Sequence, residues 1–204
     1  MITDLCRERI SNYDDNNSRW RLGNTIMYEM VAKYPKHIDA DEIVSKLWMI
    51  GRTYAAAIER RPNKAETPGD FYYDYVAPKL IDSEIDKKID SLRKYTAITR
   101  ENLPDILSVH KYLMDQFAEL TQKEKRSLTS KYLHFHLPEL FIIYDSRVAS
   151  VITKFAGKKP RDLDIPEDAD KTLGGTYSDT KPRVIDNILL RYCDEIGLST
   201  DDEE

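Results

Sequence analysis

One period limits what this chain can fold into. From Ser18 to Gly197 the apolar residues recur at three- and four-residue steps in one segment after another, and no stretch alternates convincingly apolar and polar as a half-buried strand does. That spacing lays an apolar stripe along one face of a helix, and helices bury such stripes against one another. The expected fold class is therefore all-α, a compact globule of roughly eight helices with at most two lobes. At 204 residues and 41% hydrophobic content the chain can bury a sizeable core as a single domain over 1–198, with a disordered acidic tail over 199–204.

Local signals place the helices. An amphipathic stretch through Ile2, Leu5, Cys6 and Ile10 comes first. Ser18 can cap a helix that turns Ile26, Met27, Met30, Val31 and Tyr34 inward and stops at Pro35. Asp39 with Glu42 starts a helix running toward Arg61 with Ile43, Leu47, Ile50, Tyr54 and Ile58 on one face. A Pro- and Gly-containing loop follows to Gly69, then an aromatic stretch, Phe71, Tyr72, Tyr73 and Tyr75, ending at Pro78. Ser83 with Asp86 opens a helix through Ile85, Ile89 and Leu92. Asn102 and Pro104 open another, through Ile106, Leu107, His110, Leu113, Met114 and Phe117, in which His110 reads as a satisfied core histidine. Gly157 to Asp179 reads as a long charged lid or cover, and Pro182 to Gly197 as the last helix.

The stretch with chemistry in it is Lys131 to Val148, KYLHFHLPELFIIYDSRV. Thr121 with Glu124 offers a capping-box start, and Leu128, Tyr132 and Phe135 share a face with Lys131 on its edge. The helix should stop near His136, because the residue before Pro138 is pushed out of the α region. Leu140 to Tyr144 is too short and too uniformly apolar for another amphipathic helix and reads as a buried connector. Asp145 then stands where an N-cap belongs, before Val148, Val151, Ile152 and Phe155. Two helices meeting through a buried turn would bring the Lys131 amine near the Asp145 carboxylate. Burial frees an amine for attack on an electrophilic carbon, and a neighbouring carboxylate can steady a developing cation or move a proton. From spacing alone, the commoner roles are a snorkelling lysine and a plain helix cap.

Other side chains join as candidates. Trp48, Arg52 and Tyr54 can line a base-binding pocket, since rings stack on bases and arginine pairs with phosphate; His134, with its neighbour Phe135, is a candidate substrate contact. Lys123, Lys125 and Arg126 are candidates for contacts to a nucleic-acid backbone. Net charge argues the other way at −5, although the last four residues account for −4 of it. No cofactor is expected. His134 and His136 diverge on a helix and define no metal site, and there is no phosphate-binding glycine loop. The expected location is cytoplasmic, with no membrane span, no signal-peptide pattern in MITDLCRERI, and Cys6 and Cys193 as buried thiols.

SLTSKYLHFHLPELFIIYDSRV resembles the catalytic segment of the helix-hairpin-helix DNA glycosylases. Together with WMIGRTYAAAIERR, Trp48 to Arg61, it resembles in particular the bacterial proteins with an 8-oxoguanine DNA glycosylase fold. The resemblance implies Lys131 as the Schiff-base nucleophile and Asp145 as the catalytic carboxylate. It departs from the family at the hairpin, where Leu120 to Ser127 contains no glycine, and with two cysteines the chain has no four-cysteine iron–sulfur cluster. The expected function is an N-glycosylase with lyase activity on a damaged or modified purine in DNA, as in base excision repair. Two alternatives stay open: a repurposed member acting on a free nucleoside, nucleotide or modified base in a defence or signalling pathway, and a helical interaction module without catalysis.

Overall fold

The computed structural model describes residues 21–146 and 148–150. The N-terminal stretch with Cys6, the Ser18 cap, the Gly157 to Asp179 segment, the last helix with Cys193 and the acidic tail lie outside the described residues. Among those described there is no strand, and the fold is all-helical. Six α-helices follow one another: α1 Arg21–Lys33, α2 Ala40–Thr53, α3 Ala77–Ile81, α4 Ile85–Leu92, α5 Leu103–Thr121 and α6 Arg126–His136. None of the described helices is long and apolar enough to cross a membrane.

The architecture centres on α6, which packs against α1, α2 and α5. Every residue from Leu128 to His136 is buried. This corrects the amphipathic reading: Lys131 sits within the protein at 3% exposure, not on a rim. Around it, Met27 and Val31 of α1, Ile43, Leu47 and Ile50 of α2, and Ile106, Val109, Leu113 and Phe117 of α5 make one continuous core with Leu128, Tyr132 and Leu133. Ile26 and Leu107, expected to face inward, are 44% and 54% exposed. Each sits next in sequence to a buried residue, about 100° around the helix from it and off the buried stripe.

Helix ends explain most other departures. The expected capping box at Thr121 and Glu124 does not form, because α5 runs on to Thr121. Gln122 then closes it in the left-handed region (φ 54°), and the Thr121 hydroxyl donates to Phe117 O (2.7 Å). Asp39 does cap α2, accepting the Glu42 amide at 3.1 Å. That helix ends at Thr53, well short of Arg61, in a Schellman turn: Ala56 N–H donates to Gly51 O (2.8 Å), Ala55 N–H to Arg52 O (3.4 Å), and Ala55 takes φ 53°. The usual sign of such a turn is glycine, and here an alanine occupies it. Ala55→Gly at this exposed position is expected to raise stability by about 1 kcal/mol, read as an upward shift of the urea midpoint at unchanged slope. Pro78 does not end the aromatic stretch either. A π-helical turn, Tyr72–Val76, runs straight into α3, with the proline in the first turn of α3. Asp86 of α4 makes no box with Ser83, whose hydroxyl accepts the Ile85 amide; it is held instead by His37.

Lys46 is wholly buried and ties the α1–α2 connection together, donating to Tyr34 O (2.8 Å) and Lys36 O (2.9 Å). Burial lowers its amine to a pKa of about 8, opposed by the charges of Asp86 and Glu42.

Candidate functional site

α6 ends at His136, one residue before Leu137 and two before Pro138, as the proline requires. The chain then runs through Leu140, Phe141 and Ile143, all buried, as an irregular connector lying back along α6. Ser130 fastens it: the hydroxyl donates to Tyr144 O (3.1 Å) and accepts the Tyr144 amide (3.0 Å). The next residue is Asp145. Its Oδ1 accepts the Val148 amide (3.1 Å) and its carbonyl the Ala149 amide (2.9 Å), so it opens a helical turn as an N-cap.

With Oδ1 occupied by the cap, Oδ2 points to the amine. Lys131 Nζ lies 3.6 Å from Asp145 Oδ2, with the two side chains 3% and 15% exposed. The same ammonium donates to Ser127 Oγ one turn back (2.9 Å) and to Tyr54 O (3.3 Å), and sits 5.4 Å from the centre of the Tyr54 ring. Spacing anticipated the pair. It did not disclose Ser127 and Ser130, the two hydroxyls that position it, because a serine inside a helix has the pattern of a solvent-facing residue. A buried amine within reach of a carboxylate, one oxygen of which is already fixed by a helix end, has the parts for nucleophilic attack with a positioned proton acceptor.

The remaining candidates divide. Tyr54 is at the site: its ring lies under Lys131 and its hydroxyl donates to Asn24 Oδ1 (2.6 Å). Trp48 and Arg52 sit one turn apart on the outer side of α2. Trp48 is 51% exposed, and Arg52 pairs with Glu59 at 2.5 Å. Phe135 lies one turn beyond Lys131 and packs against Tyr54 (5.9 Å) and Tyr28 (4.8 Å). His134 has both ring nitrogens engaged inside the protein, Nδ1 with Phe141 O (2.7 Å) and Nε2 with the Tyr28 hydroxyl (2.6 Å), which makes it a clamp between α1, α6 and the connector.

Lys123, Lys125 and Arg126 gather at the start of α6. With Arg60 and the Ala55 to Ala57 turn they border a cavity of about 330 Å³ that reaches Ser127, the hydroxyl bonded to Lys131. Lys125 turns inward onto Ala57 O (3.3 Å) and Arg60 O (2.5 Å), and burial, with the charge of Lys123, lowers its amine to about 8. Arg126 pairs with Glu124 at 3.0 Å. A second cavity, about 480 Å³ and mostly apolar, opens beside Ser130 and Tyr144, with His110 and Arg126 as its charged or titratable lining. His110 is half-buried on that wall, not in the core, and burial followed by the nearby Arg126 charge favours its neutral ring. Among the described residues no group of three or more His, Cys, Asp or Glu side chains is placed to hold a metal ion.

Comparison with protein families, with curated proteins and with solved structures finds no match to this chain.

Proposed function

We propose that the protein is an N-glycosylase with lyase activity, of the helix-hairpin-helix type, acting on a damaged or modified purine through Lys131. The observation that carries this reading is the 3.6 Å approach of a 3%-exposed lysine amine to a carboxylate whose other oxygen caps a helix. In the reaction, the Lys131 amine gives up its proton, with Asp145 as the near acceptor, and attacks the sugar carbon that bears the base. A carbon–nitrogen bond to Lys131 forms as the bond to the base breaks, and the base leaves with a proton. Asp145 steadies the cationic sugar in between. Ring opening turns the adduct into a protonated Schiff base, from which loss of a sugar proton expels the 3′ phosphate. The turn between α5 and α6, closed by Gln122 in the left-handed region, contains no glycine, so the family's phosphate-holding hairpin is the part of the resemblance that does not carry over.

Incubation with oligonucleotides bearing modified purines in the presence of borohydride is the test. The expected result is a covalent protein–DNA adduct that Lys131→Ala abolishes; no adduct, or one that survives the substitution, overturns the assignment.

A second reading, in which the substrate is a free nucleoside or modified base, gains from the basic cluster. Lys125 and Arg126 already spend their charge on backbone carbonyls and on Glu124, which leaves less for DNA phosphates. Binding that weakens steeply with salt supports DNA; binding indifferent to salt supports the small substrate.

A further inference from the structure

The cavity of about 480 Å³ lies between one stripe of α5, the first turn of α6 and the connector. Along α5 that stripe runs Leu103, Leu107, His110, in steps of four and three residues that keep the side chains in line, so about 10 Å of helix separates its ends. The two ends differ in chemistry. Around Leu103 the wall is aliphatic and is continued by Ile98, just ahead of the helix. Leu107 follows with half of its surface open to solvent, which is unusual for a large apolar side chain and leaves it accessible at the cavity mouth.

At the other end stand His110, Arg126 and Tyr144. His110 is half-buried, and its ring enters no hydrogen bond among the described residues; its nitrogens, unlike those of His136, are not shut off from the cavity. Burial first, and then the Arg126 charge, favours the neutral ring, which has one N–H to donate. The Arg126 guanidinium lies 6.0 Å from the centre of the Tyr144 ring, and that wall is braced, because Ser130 holds both backbone groups of Tyr144. Arg126 gives one terminal nitrogen to Glu124 (3.0 Å), in a pair that is exposed on both sides and therefore weak. Its other nitrogens make no hydrogen bond among the described residues, so an edge of the fork stays available. Among the described residues that line the cavity, Arg126 carries the one full positive charge.

We infer that this cavity is a binding site for a small amphipathic carboxylic acid, with an apolar body about 10 Å long that ends in a single carboxylate. The body lies along Ile98, Leu103 and Leu107, while the carboxylate takes the open edge of Arg126 and the His110 N–H. One cation matches one negative charge; a phosphate, with close to two, asks for a second. The volume is in the range of small-molecule pockets. Nothing in this assignment uses Lys131 or Asp145, so it stands or falls apart from the proposed chemistry.

Titration of the full chain with decanoate, followed by amide and imidazole NMR shifts, tests it. Saturable binding is expected, at least about tenfold tighter than for decanol, which keeps the body without the charge, or for acetate, which keeps the charge without the body. Arg126→Gln, at the exposed start of α6, should weaken it by about tenfold, and Leu107→Ser, also at an exposed position, should weaken it severalfold. Lys123→Gln removes the same charge from the neighbouring cavity and should change binding by less than about twofold. No saturable binding overturns the inference, and so does equal binding of decanol, binding that Arg126→Gln leaves intact in a folded protein, or a loss on Lys123→Gln as large as that on Arg126→Gln.

Discussion

Lys131→Met is expected to lower stability by no more than about 3 kcal/mol, while lowering formation of the trapped adduct by three orders of magnitude or more. The stability half follows from burial. A lysine amine at 3% exposure has given up most of its water, and among the described residues it meets one carboxylate at 3.6 Å, a hydroxyl and a carbonyl. Exchanging a whole buried ion pair for hydrophobic side chains is commonly neutral or stabilising, whereas removing one ion alone costs about 3–5 kcal/mol where the other is left fully buried. The groups left behind keep the cost below that limit. Asp145 is 15% exposed and keeps its cap bond to Val148 N, and Ser127 and the Tyr54 carbonyl belong to half-buried residues. Lys131→Ala is the poorer variant, because it also opens a cavity, at a cost on the order of 2–4 kcal/mol. Urea midpoints and borohydride trapping, measured on the same preparation, separate the two halves. A loss beyond about 3 kcal/mol would make the lysine a structural ion, and a matched Lys131→Met, Asp145→Asn protein that keeps its activity would leave only an interaction module.

The pair was legible in the sequence because each of its signals is local. A proline two residues past a helix, a run of apolar residues and an N-cap aspartate lie within one stretch of the chain, and together they fix how an amine and a carboxylate fourteen positions apart must meet. The surroundings were not legible, for the opposite reason. That α6 is buried on every side depends on α1, α2 and α5 closing around it, and a period reports only how a helix divides its own faces. In the sequence, Ser130, His134 and His136 have the pattern of a wet face. Their actual neighbours, Tyr144, Tyr28 and His37, lie 14, 106 and 99 positions away. Helix ends at Ala55 and Gln122 were hidden because the left-handed residue in each is not glycine. The fold class depends on the repeated period and was readable; the polar interior depends on distant pairings and was not.

That polar interior carries the second large prediction: the fold should weaken steeply on mild acidification. His37 is held at both nitrogens, with Asp86 Oδ1 at 2.7 Å on Nδ1 and the Tyr132 hydroxyl at 2.7 Å on Nε2. Its partners assign a neutral ring whose Nδ1 carries the proton for Asp86 while Nε2 accepts from Tyr132. A second proton on Nε2 would strand the Tyr132 hydroxyl, which has no solvent to turn to. His136, stacked on His37 at 5.3 Å, has no hydrogen-bond partner among the described residues to receive a charge. Burial above all lowers both histidines below their usual 6.5, by much more for His136, where each ring's charge would also oppose the other's and Lys46 and Arg93 add to the effect. The sign follows. Below pH 6.5 the unfolded chain takes up protons that the folded one refuses, so the contribution of these two rings is level above about pH 7.5 and falls as pH drops. The slope reaches about 1.4 kcal/mol per pH unit for a histidine that stays neutral, about 2 kcal/mol for His136 by pH 5, and His37, whose ring Asp86 helps to charge, adds a smaller share. Asp86, whose His37 bonds outweigh the burial that opposes its charge, sits below its usual 3.8 and adds its loss only under about pH 4. Urea unfolding at pH 7.5, 6.5, 5.5 and 5 measures the slope, and His136→Phe should remove most of it. A flat profile, or one that His136→Phe leaves unchanged, would mean that these rings find water or a counter-charge as readily in the folded protein as in the open chain.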